Sequence, residues 1–235
     1  MKPGQTIHDR CSFCAPMLRH LVSAFGAILC VFGVNDFVAG YQQDKAAAKI
    51  DDQIAARMEQ FVRDGSIAGA VTLVSHQGKV IHHAAVGKSD LEASVPMTSD
   101  SVFAIASMTK PVTAAAVMIL WDEKKISLDE PVATYLPEFD DTMLAGKVRP
   151  KRQITVRDCL THTNGLVSDQ RNIGTLANTV HELARSELAF EPGTRWQYGP
   201  GLSVAGRIVE VVSGKSFDEF LKTRIFDPLE MSQTQ

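Results

Sequence analysis

Residues Ala68 to Asp90, "AGAVTLVSHQGKVIHHAAVGKSD", place two β-branched runs on either side of Gln77 and Gly78. Gly78 takes a positive φ without steric cost, so the spacing predicts an antiparallel hairpin with a tight turn at this pair. The hydrophobic period is different on both sides of it. Upstream, in "DKAAAKIDDQIAARMEQFVRDGSIAG", Ile50, Ile54, Met58, Phe61 and Val62 recur at helical spacing, and Gly65 is placed to stop the helix. Within the second strand His82 and His83 are adjacent and must point to opposite faces. They cannot easily converge on one metal, and read as one packed and one surface histidine.

Downstream the chain is mostly helical. "PVTAAAVMIL" is expected to bury Val112, Ala115, Ala116, Ile119 and Leu120 on one face. Three Ser/Thr-x-x-acid pairs predict helix starts: Thr155 with Asp158, Thr179 with Glu182, and Ser216 with Glu219. In such a box the hydroxyl accepts from the third helical N–H while the acid reaches back. Gly165 and Gly214 are expected to end helices, and Pro228 follows the last one. "EPGT", Glu191 to Thr194, reads as a tight turn, and "LSVAGRIVEVVSG" carries Leu202, Ala205, Ile208, Val209 and Val212 on one face. Helix, hairpin, then a long helical stretch describes an α/β chain of α+β type with segregated helices.

Composition excludes some partners. The 235 residues are 45% hydrophobic and 22% charged, with a formal charge of -3. That gives no electrostatic reason to expect nucleic acid, and the basic run "KVRPKR", Lys147 to Arg152, reads as a solvated loop. "LVSAFGAILCVFGV", Leu21 to Val34, has a basic flank at Arg19 and His20 and a small-residue exit at "FVAG". It is short for a membrane span and fits a secretory signal peptide. Residues 1–40 are therefore read as a signal with a start-site extension ahead of Met17, residues 41–235 as the domain, and the location as secreted or periplasmic. Cys11, Cys14 and Cys30 fall in that leader and leave Cys159 alone, so no disulfide framework is implied. "CSFC" lacks the second ligand pair that a zinc site needs.

Ser107 and Lys110, in "SMTK", fall in or just before the first turn of the "PVTAAAVMIL" helix. Positions three apart share a helix face, so the amine can reach the hydroxyl. A helix N-terminus favours a developing alkoxide and presses a lysine towards its neutral form, which can then take the serine proton. Against this, a chain this long should contain about one Ser-x-x-Lys by chance. Ser107 as a helix cap and Lys110 as a solvated surface lysine fit the position equally well. Tyr198, in "WQYGPG", reads either as a packed aromatic beside Trp196 or as a phenol whose anion a lysine would stabilise.

Taken together, "SMTK" with "VTAAAVMILWDEKKISLDEPVATYLPEF", "ITVRDCLTHTNGL" and "FEPGTRWQYGPGLSVAGRIVEVVSGKSFDEFLKTRIFDPLEMSQT" resemble the serine β-lactamase and penicillin-recognising transpeptidase superfamily. The similarity is to its class C-like branch and the related family VIII carboxylesterases, and runs from about Ile50 onwards. It implies a β-lactamase-like fold: an antiparallel sheet flanked by helices plus a mainly helical lobe. It implies Ser107 as acylating nucleophile, Lys110 as general base and Tyr198 as the phenol that relays the proton to the leaving group. The reaction implied is acyl-enzyme hydrolysis of a small-molecule ester, amide or β-lactam, with peptidoglycan fragments among the candidates and no metal or organic cofactor.

Two positions depart from the pattern. Pro200 stands where the second motif usually has Asn, which tilts against β-lactam hydrolysis. No K-T-G or H-x-G strand follows the second motif before the last residue, Gln235, so the resemblance implies a C-terminally truncated chain with its closing strands missing. Such a chain also lacks one of two oxyanion-hole N–H donors, at a cost of about 3 kcal/mol in the transition state. An impaired, penicillin-binding-like pseudoenzyme or sensor is the alternative to an active esterase. A different hydrolase class would use Ser203 of "GLSVA" as a nucleophile elbow, which needs a strand before it; "TRWQYGP" is a poor one. His162 and Asn164 lie on a loop that borders the pocket, or else Asn164 and Gly165 only end a helix, and the second reading is preferred.

Overall fold

The computed structural model describes residues 49–167 and 174–235. The leader with its signal segment, Cys11, Cys14 and Cys30 lie outside the described residues. The chain divides into two compact units, up to Ser101 and from Val102 onwards.

In the first unit, helix α1 spans 49–63, and Ile54, Met58, Phe61 and Val62 form its half-buried stripe. Gly65, at φ 70°, turns the chain out of the helix. β1 (Gly69–His76) and β2 (Lys79–Asp90) pair antiparallel, with His76 opposite Lys79. The two residues between them, Gln77 and Gly78, both have positive φ (49° and 76°), which is the type I′ geometry that suits strand twist. A short β3 (Val95–Pro96) adds to β2 and completes the order β1-β2-β3. His82 is buried and His83 exposed, as strand alternation requires. His82 is held at both nitrogens: Nδ1 lies 2.6 Å from Asp51 Oδ1 on α1, and Nε2 lies 2.6 Å from Thr72 Oγ1 on β1. The pair ties α1 to the hairpin.

The second unit is helical. α2 (Thr109–Asp122), α3 (Val156–Thr161), α4 (Leu176–Ala184), α5 (Gly201–Ser213) and α6 (Phe217–Leu221) surround a single core. α5 lies at its centre, against α2, α3, α4 and α6. Its Val204, Ala205, Ile208 and Val209 are fully buried, and each larger aliphatic side chain contributes about 1.5–3 kcal/mol. The 123–155 connection uses short 3-10 turns at Val132–Thr134 and Pro137–Phe139 to bring Val132, Leu136 and Phe139 into the same core. α6 runs on into a π-helical turn, Lys222–Phe226, whose Arg224 pairs with Glu123 at the end of α2.

Four local expectations are corrected. α2 buries Thr113, Ala116, Val117 and Leu120, whereas Ala115 is exposed. The buried Thr113 hydroxyl is satisfied by the Thr109 carbonyl at 3.0 Å, so the face can include it without an unpaired polar group. α4 starts earlier than expected: Thr175 caps it by accepting from Asn178 N–H, and Thr179 sits inside the helix. α3 ends before Gly165, with His162 as its left-handed C-cap. Ser216 occupies the N-cap of α6, but its hydroxyl makes no cap hydrogen bond there. The Thr155–Asp158 box does form completely.

Candidate active site

Ala106 has φ 45°, a left-handed conformation that costs an alanine about 1–2 kcal/mol. It opens a 3-10 turn, Ala106–Met108, that runs into α2 and leaves Ser107 exposed. Lys110 is the second residue of α2 and half-buried, and its Nζ donates to Ser107 Oγ at 3.2 Å. Tyr198, distant in sequence, approaches from the other side, with its Oη 2.5 Å from Ser107 Oγ. Lys110 Nζ also lies 4.7 Å from the centre of the Tyr198 ring. Thus the three residues singled out in the sequence converge on one point. The hydrogen bond from Lys110 lowers the phenol ionisation of Tyr198 below its ordinary value, and the bond to Ser107 adds to the effect. With Lys110 donating to Ser107 Oγ, either hydroxyl can be the donor across the shorter contact between Ser107 and Tyr198. Ser107 lies in the turn that leads into α2, where the positive end of the helix favours an oxyanion.

The segment that carries Tyr198 is fastened to the loop after α3. Gln197 N–H donates to the His162 carbonyl at 2.9 Å, and Gly193 N–H to the Thr163 carbonyl at 2.8 Å. Gly199 N–H donates to His162 Nδ1 at 3.3 Å. The His162 ring stacks on Tyr198 with centroids 4.7 Å apart and a 30° tilt, and meets Trp196 edge-on at 6.0 Å. Asn164 is buried, donating to the Asp158 carbonyl and accepting from Leu166 N–H at 2.7 Å. Asp158 anchors the α3 end of this loop. Burial pushes its carboxyl up, but bonds from Arg152, Thr155 and Thr163 outweigh it and hold the carboxyl below its ordinary range. Both Arg152 bonds are short, at 2.6 and 2.9 Å.

Glycine is required where the two segments touch. A β-carbon on Gly201 would stand 2.6 Å from the Cys159 carbonyl and 2.3 Å from Asn164 Nδ2. Backbone cannot yield as a side-chain tip can. Gly201→Ala is expected to lower unfolding free energy by about 3 kcal/mol, read from urea denaturation. An unchanged midpoint would show that α5 and the loop separate freely. Cys159 itself is buried, and burial pushes its thiol ionisation up, so it is not a reactive thiol.

Ser203 is placed inside α5 after Pro200 and not on a strand-to-helix elbow. Among the described residues no three His, Cys, Asp or Glu side chains gather as metal ligands would. A cleft of about 740 Å³ opens beside the trio, lined by Thr109, Lys110, Tyr198, Leu202 and Phe217 among others. His162 and Asn164 both belong to the site's support, the alternative that the sequence left open but did not favour. The Thr155–Asp158 box fixes where α3 starts, but no sequence signal marks His162 as its C-cap.

Residues 54–235 match the profile of the family described as Beta-lactamase. Esterase EstB of Burkholderia gladioli is 32% identical over 203 residues, covering 79% of this chain and 51% of the esterase. Lovastatin esterase of Penicillium rubens is 34% identical over 196 residues, covering 73% of this chain and 49% of the relative. The chain thus spans about half the length of the curated relatives it matches. Among solved structures, EstCE1, described as a hydrolase with promiscuous acyltransferase activity, superposes with a TM-score of 0.72 at 29% identity. That match covers 80% of this chain and 52% of EstCE1.

Proposed function

The chain belongs to the Beta-lactamase family, and from that premise we propose that it serves a serine hydrolase that works through an acyl-enzyme on a small carboxylic ester. One observation carries the reading: Ser107 Oγ stands 2.5 Å from Tyr198 Oη and 3.2 Å from Lys110 Nζ. A serine needs a proton acceptor within about 3 Å and a field that favours its alkoxide, and this site supplies both. In the proposed sequence Ser107 Oγ attacks the carbonyl carbon as its proton passes to the Tyr198 phenolate. Lys110 holds that phenolate through its charge, and in this sequence Tyr198 takes the place of the general base that the resemblance implies for Lys110. Tyr198 then returns the proton to the leaving alkoxide as the C–O bond breaks. Water repeats the exchange on the acyl-enzyme and frees the acid.

Esters are preferred over β-lactams because Pro200 offers no side-chain donor where the related lactamases place one. The names of esterase EstB and lovastatin esterase support the same choice. Amide or peptidoglycan-derived substrates share the acyl-enzyme step and are distinguished by turnover. We also place the mature protein outside the cytoplasm, on the strength of the "LVSAFGAILCVFGV" leader.

Intact-mass spectrometry of the chain after exposure to a fluorophosphonate, with peptide mapping, tests both parts. A single adduct on Ser107 is expected, on a chain that begins near residue 40 when recovered from exported material. An adduct on Ser203 removes the trio from the mechanism, and an N-terminus near residue 20 removes the export signal.

A further inference from the structure

We propose that His162 is a positioning residue for Tyr198, gripping the 197–199 segment through a neutral imidazole; this rests on the serine-hydrolase reading above. The residue holds that segment at three separate points. Its carbonyl accepts from Gln197 N–H at 2.9 Å, its Nδ1 accepts from Gly199 N–H at 3.3 Å, and its ring covers the Tyr198 ring at 4.7 Å. Gln197 and Gly199 bracket Tyr198, so these contacts fix the backbone on both sides of the phenol and one face of the ring itself. The opposite demand falls on Oη, which must meet Ser107 at 2.5 Å. A reacting group displaced by about 1 Å loses on the order of a hundredfold in rate, so the grip matters to chemistry and not only to folding.

The imidazole must be neutral to do this. Nδ1 accepts a hydrogen bond only when it carries no proton, which places the ring hydrogen on Nε2. An imidazolium would set Nδ1–H against Gly199 N–H. Among the described residues, the groups that act on the ring are the charge of Lys110 from α2 and the ionisable phenol of Tyr198; Asp158, on its own helix, is already engaged by Arg152. Burial, then the charge of Lys110, holds the His162 ionisation below its ordinary value. Since the folded state takes up this proton less readily than the unfolded chain, the stability is full above about pH 6.5 and is lost as pH falls below it.

Two variants separate positioning from bulk structure. In His162→Asn the Oδ1 atom takes the place of Nδ1, can accept from Gly199, tolerates the left-handed φ of 59° and does not titrate. His162→Ala does not titrate either, but it offers no acceptor to Gly199 and tolerates that φ poorly. At pH 8, phosphonylation of Ser107 by a fluorophosphonate, followed by intact mass, is expected to slow 10- to 100-fold in His162→Ala. It should recover to within about threefold of wild type in His162→Asn. Thermal melts between pH 5 and 8 should show wild type losing stability on the acid side more steeply than His162→Asn. A wild-type rate in His162→Ala, or a rate in His162→Asn as low as in alanine, overturns the proposal. Should no form be labelled at Ser107, it is the hydrolase reading that fails. The melts then decide the grip alone: it stands if alanine lowers the midpoint at pH 8 and asparagine does not, and falls if both match wild type.

Discussion

Ser107→Ala is expected to reduce fluorophosphonate labelling to background while leaving the fold intact. Labelling forms a P–O bond from Oγ as the P–F bond breaks and fluoride leaves, so without Oγ no bond can form at this position. In enzymes of this kind, loss of the nucleophile costs about 10⁶ in turnover, far beyond any effect of packing. The control lies in what Ser107 does not do. Its side chain is exposed, and it caps neither the 3-10 turn nor α2. Among the described residues its side chain hydrogen-bonds to Tyr198 and Lys110. Removing an exposed hydroxyl should change stability by no more than about 0.5 kcal/mol. A cooperative melt at the wild-type midpoint together with vanished labelling therefore reports chemistry. Labelling that persists in Ser107→Ala would move the reaction elsewhere, and the reading of "SMTK" as a nucleophile motif would end.

How far the sequence foretold this site depends on the range of the forces involved. Local rules did well where local forces decide. The Gln77–Gly78 hairpin, the His82/His83 alternation and the Thr155–Asp158 box each depend on residues only a few positions apart. They failed where two local solutions compete. Thr175 and Thr179 both offer a hydroxyl three residues before a partner, and the helix uses Thr175, which brings Leu176 onto the core. The α2 face turned to take in Thr113 because its hydroxyl bonds within the helix, which an apolar count of the sequence cannot register. The support of Tyr198 was hidden for a different reason. His162 and Gly199 are 37 residues apart, and only the packing of α5 against α3 makes them neighbours. The trio itself was legible through resemblance rather than spacing, since Ser-x-x-Lys by itself is common. Geometry adds the point the sequence could not: which oxygen stands nearest the serine.

Tyr198→Phe is expected to slow the same labelling by about 10²–10⁴, the usual worth of a positioned general base. At about 1.36 kcal/mol per tenfold, that corresponds to roughly 3–5 kcal/mol of barrier. The substitution deletes one atom and keeps the rest. The ring still stacks on His162 and still lies under Lys110 Nζ, so the surrounding segment has no reason to move. The pH dependence identifies the role. Tyr198 must be ionised to take the proton, and the hydrogen bonds from Lys110 and then Ser107 bring its ionisation down from the ordinary phenol value. Below that ionisation the neutral phenol dominates, and the labelling rate should fall about tenfold per pH unit; above it the rate should level off. In Tyr198→Phe this limb disappears, leaving a slow residual rate that depends on Lys110 alone. If the phenylalanine variant instead labels within threefold of wild type and keeps the limb, Lys110 is the immediate proton acceptor. The 2.5 Å contact would then serve only to orient the hydroxyl.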